Sequence, residues 1–118
     1  MESKGFTLIE LLIVIAVIGI LSSVVLVGLG PVQRQGRDSR RISDLGQIQN
    51  GLELYYNKNG SYPTVSTWQD LKTAIINANI GVSNIPEDPT PSQSYSYWSD
   101  GTTYCLGADL EDLTNPNW

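Results

Sequence analysis

The sequence has no histidine, one cysteine, one phenylalanine and one methionine in 118 residues. Without histidine it has no side chain whose ordinary titration falls near neutrality, so the commonest general acid–base group is missing. The single Cys105 excludes an intrachain disulfide. A reactive thiol needs a basic neighbour; none lies nearby in the chain, and Cys105 reads as a small buried residue of a strand. Phosphate loops and metal-ligand spacings are absent too. From residue 85 onward there is no Lys or Arg, only Glu87, Asp88, Asp100, Asp109, Glu111 and Asp112. Such a segment is a poor platform for nucleic acid, whose phosphates require clustered positive charge. Glu111 and Asp112 adjoin one another in an acidic segment with nothing to orient them for proton transfer. The composition therefore argues against an enzyme.

What the chain does have is unevenly spread. Its formal net charge is -5 and its mean hydropathy is -0.11, an average over two different materials. Residues 1–5, "MESKG", form a short polar leader, and residues 6–29, "FTLIELLIVIAVIGILSSVVLVGL", are almost wholly apolar. A bilayer-spanning helix takes about 20 residues, so this run is long enough to span. A secretory signal is the competing reading, but its apolar region is about 7–15 residues long and carries no carboxylate. Here Glu10 sits inside the run. A charge at the centre of a membrane segment costs about 2.5–3.5 kcal/mol on insertion scales, so Glu10 requires a partner or a route to the interface near Lys4.

The rest reads as an α+β domain. Gly28, Gly30 and Pro31 weaken the helix locally, proline by removing a backbone hydrogen bond and crowding the preceding turn. A helical period then resumes through Ile42, Leu45, Ile48, Leu52 and Tyr55. It ends at "NKNG", where Asn59 and Gly60 suit a helix C-terminus. This predicts one long helix from about residue 6 to 56, interrupted near 28–31. "STWQDLKTAIINAN" (66–79) predicts a short second helix, with Ser66 and Gln69 as a capping box and Trp68, Leu71 and Ile75 on one face. "IPEDPTP" (85–91) reads as a rigid loop. "SYSYWSDGTTYCLGA" (94–108) predicts a hairpin turning at Asp100-Gly101, with alternate tyrosines inward. Residues 60–118 are marginal for an independent core and need the apolar helix face at 42–56 to pack against. The expected organisation is a leader (1–5), a membrane helix (6–30) and a soluble domain (31–118). That domain comprises an amphipathic helix half (32–57) and an α/β remainder (60–118).

Lys4-Gly5, then Phe6, Thr7, Leu8, Ile9, Glu10 and an unbroken apolar helix, resembles the N-terminus of type IV pilins and pseudopilins. The resemblance is strongest over the first 26 residues. It continues more weakly in "LELYYNKNGSYPT" (52–64), in "IPEDP", in "YSYWSDGTTYCLGADLED" and in the terminal "NPNW", which look like parts of the major pseudopilin of type II secretion systems. It implies cleavage between Gly5 and Phe6 by a prepilin peptidase, methylation of the new Phe6 amine, and polymerisation of the apolar helices into a filament. Partners so implied are further copies of the chain, minor pilins, an assembly platform with its motor, and the membrane before assembly. The implied location is a single-pass monomer in the inner or plasma membrane, N-terminus inside, and then an extracellular or periplasmic filament. Glu10 would set the register by meeting the ammonium of Phe6, and Gly28, Gly30 and Pro31 would let the helix melt locally. A related reading of another class is a minor pilin or DNA-uptake pseudopilin that presents a ligand site, with Tyr95, Tyr97, Trp98 and Tyr104 as adhesive aromatics.

Two features depart from the family pattern. In the major pseudopilin the loop after "LGAD" is glycine-rich and binds calcium, an ion that wants six to eight oxygens. Here "LGADLEDLTN" is shorter and lacks those glycines. No cofactor is required by the sequence; a calcium site would draw on Asp109 and Asp112, with Ser99 or Asp100 near, and the alternative is an exposed acidic loop. Arg34, Arg37, Arg40 and Arg41 follow the apolar helix, so charge alone favours the opposite orientation. They share their helix with Asp38 and Asp44. Each reads either as part of a solvated face or as a partner for carboxylates of neighbouring subunits, such as Glu53.

Overall fold

The computed structural model describes residues 3–114, so "NPNW" (115–118) and the first two residues of the leader lie outside the described residues. Two compact units follow one another, Met1–Arg34 and Gln35–Trp118. Helix α1 spans Leu8–Asn59, α2 spans Trp68–Asn77, and strands β1 (Ser96–Ser99) and β2 (Tyr104–Gly107) form an antiparallel hairpin. The architecture is α+β, as the sequence pattern predicts.

In the first unit the helix begins at Leu8 and its large apolar side chains from Phe6 to Leu29 are uncovered. The predicted interruption at 28–31 does not occur: α1 runs through Pro31 without a break. Proline deletes one rung of the ladder, to the carbonyl of Val27, and the rungs on either side hold the turn together. Gly28 and Gly30 have open space around them.

The second unit is built on the other part of α1. Its core is Ile48, Leu52, Leu71, Ile75, Ile85, Tyr95 and Tyr97, flanked by Leu45, Tyr55, Tyr62, Val65, Trp68 and Leu106. The predicted apolar face therefore is the one that packs, except that Ile42 is exposed. α1 ends where Gly60, at φ 75°, donates its N–H to the Tyr56 carbonyl over 2.7 Å. A left-handed residue at this point favours glycine and closes an otherwise unpaired carbonyl.

α2 is shorter than its sequence pattern suggests, and its cap is Thr67 rather than Ser66. Thr67 has extended dihedrals, and its hydroxyl accepts from the Asp70 N–H at 3.1 Å. Leu71 and Ile75 turn inward, and the Trp68 ring meets Tyr95 edge-on with centroids 5.3 Å apart. Thr67→Ala should cost about 1 kcal/mol of stability, the usual worth of an N-cap. Urea unfolding checks this, and a loss well above about 2 kcal/mol would mean that the hydroxyl does more than cap.

The hairpin pairs Tyr97 with Leu106 and Trp98 with Cys105. Alternation turns Tyr95 and Tyr97 into the core and leaves Trp98 outside, 58% exposed. Cys105 shares that outer face and is exposed, contrary to the buried reading: its register opposite Trp98 decides its side of the sheet. In the turn, one oxygen of Asp100 accepts from the backbone and hydroxyls of Thr102 and Thr103, and Gly101 sits at φ 93°. Tyr62 lies between Tyr56 and Tyr104, at 4.8 Å from each ring.

Candidate functional site

Two places in the chain carry organised charge. The first is the start of α1. The Thr7 N–H donates to the Glu10 carboxylate at 2.8 Å, and the Glu10 N–H donates to the Thr7 hydroxyl at 3.2 Å. This reciprocal pair is a capping box: it satisfies two backbone donors that a helix start leaves orphaned. It also fixes the direction of Glu10, whose carboxylate is turned back toward the chain that precedes the helix. Gly5 is exposed and Phe6 is 94% exposed. The bond between Gly5 and Phe6 thus lies in an irregular, accessible segment immediately before a capped helix.

The second place lies on α1 in the other unit. Asp38, Arg41 and Asp44 are buried, in line with Ile48 and Leu52. The stripe that packs against the domain therefore continues N-terminally at the same helical spacing, but in charged residues. Arg41 is fully buried. Its Nε and Nη2 donate to the two oxygens of Asp88 at 2.9 and 3.0 Å. Nη1 donates to Asp38 and Glu111, both at 2.8 Å. Nη2 also reaches the Thr90 hydroxyl at 3.0 Å and the Gln93 carbonyl oxygen at 3.3 Å. Asp38 in turn accepts the backbone N–H groups of Glu111 and Asp112, at 2.9 and 2.8 Å. Arg37 forks onto Glu111 at 2.6 and 2.9 Å, and Gln35 donates to Asp112 at 3.2 Å. The acidic C-terminal segment and the proline loop are thereby tied to α1.

These contacts set the charge states. Arg41 is held more basic than usual, chiefly by its bonds to Asp88. The bonds from Arg41 keep Asp88 below the ordinary carboxylate range against the opposing effect of burial. For Asp38 burial pushes upward, but the Glu111 and Asp112 N–H groups and Arg41 together outweigh it, and the net direction is down. Glu111 is lowered to about 2 by Arg37 and then Arg41. Above the unfolded carboxylate values of about 3.9–4.3, this contribution to stability is fully present. It is lost as pH falls through the depressed folded values. The melting midpoint, followed by circular dichroism, should be flat from about pH 5 to 8 and fall steeply between about pH 4 and 2. A midpoint that is already falling at pH 6 would contradict this charge assignment.

Of the residues singled out for calcium, Asp109 is exposed. One oxygen of Asp112 takes the Thr114 N–H and hydroxyl, and the other takes Gln35. Among the described residues no group of three or more His, Cys, Asp or Glu is placed to hold a metal. The acidic groups that do converge, Asp38, Asp88 and Glu111, converge on a guanidinium. Arg34 and Arg40 are exposed, as the solvated-face reading has it, whereas Arg37 and Arg41 are not simply solvated. Arg41 is compensated within its own chain, Arg37 finds Glu111, and Glu53 accepts instead from the Tyr62 hydroxyl at 2.9 Å.

Residues 1–26 match the family of the prokaryotic N-terminal methylation motif. Over 136 aligned residues the chain is 34% identical to the type II secretion system core protein G of Aeromonas hydrophila, covering 99% of this chain and 93% of the relative. The chain belongs to the type IV pilin and pseudopilin family. The pseudopilin of Vibrio cholerae bearing the same name is 30% identical, over 94% of this chain and 84% of its own length. That of Escherichia coli K12 is 30% identical over 92% of this chain, which spans 66% of that relative. No solved structure matches. Among the described residues this pseudopilin homologue has one helix long and apolar enough to cross a membrane, which fits a membrane-anchored subunit of a structural, non-enzymatic family.

Proposed function

We propose that this chain is a filament subunit of a type IV pilus or type II secretion pseudopilus, processed between Gly5 and Phe6 and polymerised through its apolar helix. The observation that carries the proposal is the uncovered apolar stretch from Phe6 to Leu29 behind an accessible Gly5–Phe6 bond. An apolar surface of this extent must be covered by lipid or by neighbouring chains, and a subunit that passes from membrane to filament uses both in turn. The names of its relatives support the secretion version.

Hydrolysis before Phe6 by a prepilin peptidase exposes an ammonium at the head of an apolar helix, and methylation keeps that charge. Alone in low dielectric it is as costly as the Glu10 carboxylate. An incoming ammonium meeting the Glu10 of a subunit already assembled lowers both costs and fixes the axial register. The monomer waits in the membrane with its N-terminus inside. A platform and motor draw it out, minor pilins start the filament, and Gly28, Gly30 and Pro31 allow the helix to stretch there.

Intact-mass measurement and N-terminal sequencing of the protein from its native membrane or from sheared surface material test this. The expected chain begins at methylated Phe6. A chain that begins at Met1 throughout would sink the filament reading and leave a plain anchored domain.

A further inference from the structure

The closure of the acidic C-terminal segment depends on a cation, and the chain supplies that cation itself. Six oxygen atoms surround the Arg41 guanidinium: both of Asp88, one each of Asp38 and Glu111, the Thr90 hydroxyl and the Gln93 amide oxygen. They come from three separate stretches of chain: α1, the loop at 88–93, and the segment at 111. Asp38 and Asp88 have side chains 0% and 1% exposed, and Arg41 0%. Carboxylates so placed repel one another unless a positive charge stands between them.

We propose that Arg41 is the resident cation of this clasp and that the C-terminal segment closes without any divalent ion. A hard cation such as calcium binds through six to eight oxygens, and six are here, all already facing N–H donors. An added ion would have to expel the guanidinium or sit beside a like charge. Arginine remains protonated at every accessible pH and forks onto carboxylates in a fixed plane. The clasp is therefore closed at any calcium concentration. This inference concerns the domain alone and stands or falls independently of filament assembly.

The test is thermal unfolding of the full chain in detergent, with EGTA or with excess calcium chloride. The wild-type midpoint should be the same in both within about 1 °C. A rise with calcium of about 4 °C or more, the size expected for an ion well above its dissociation constant, would overturn the proposal. Arg41→Ala empties the centre of the six oxygens, so calcium should raise the midpoint of this variant by about 4 °C or more, while sodium chloride at matched ionic strength does not. An Arg41→Ala chain that folds and ignores calcium would show that the guanidinium does not stand in a cation site. Should that variant fail to fold, titration calorimetry of the wild type with calcium decides: no heat of binding is expected, and a saturable one overturns the proposal.

Discussion

Arg41→Met is expected to lower the unfolding free energy by about 3–5 kcal/mol, the usual cost of breaking a buried ion pair by removing one partner. Methionine keeps much of the apolar stem, so the loss isolates the guanidinium. What remains is Asp38 and Asp88, both buried, with the charge between them gone. Arg37 still forks onto Glu111, but its side chain is 36% exposed and does not reach the other two. A domain of this size has a total stability of roughly 4–13 kcal/mol, so the change consumes a large share of it. The midpoint should fall by more than about 12 °C. Arg41→Lys restores the charge as a point donor with three N–H groups, which cannot fork onto Asp88 while also reaching Asp38 and Glu111. It should recover less than half of the loss. Urea unfolding of the three proteins measures all of this, and a loss under about 1 kcal/mol for Arg41→Met, the worth of an exposed pair, would mean that the network is solvated in solution.

This centre was hidden in the sequence for a definite reason. Apolar periodicity found Ile48 and Leu52 because burial of apolar side chains is the ordinary signal of a core. It stopped at Ile42, which is in fact exposed, and passed over Asp38, Arg41 and Asp44, which continue the packed stripe at intervals of three. Charged residues are almost never buried unless paired, and apart from Asp38, three residues away on the same helix, the acidic partners of Arg41 lie 47 and 70 residues away. No local pattern reports such a distance. The alternation of charge on one helix face, opposite a C-terminal segment with no basic residue of its own, was the available hint. Local chemistry was legible where it was complete within a few residues: Gly60 ends α1, Leu71 and Ile75 share a face, and Tyr95 and Tyr97 point inward. It misled where two neighbours offered the same chemistry. Ser66 and Thr67 are both capping residues, and the backbone selected the second. Cys105 failed for the corresponding reason, since strand period gives alternation but not which side is out.

Glu10→Ala is expected to remove filaments, by at least the tenfold that about 1.4 kcal/mol per subunit contact would give. The melting midpoint of the domain should stay unchanged, because Glu10 lies in the other compact unit. Alanine deletes two things together: the charge, and the acceptor of the Thr7 N–H in the capping box. Glu10→Gln separates them. A glutamine at this position of a capping box still accepts from the backbone N–H, so the helix start is preserved while the negative charge is gone. If Glu10 acts by meeting the ammonium of a neighbouring Phe6, the glutamine chain should be as deficient as the alanine chain. Both should still be cleaved before Phe6, which N-terminal sequencing verifies. If the glutamine chain assembles like the wild type, the carboxylate serves only its own helix, and register must come from the apolar packing of residues 6–29. The comparison is informative because the helix cap and the intersubunit pair draw on the same carboxylate. A carboxylate carries roughly four lone-pair sites, so it can hold its own Thr7 N–H and still accept an incoming ammonium. A neutral amide has a single oxygen and offers no charge to offset the other.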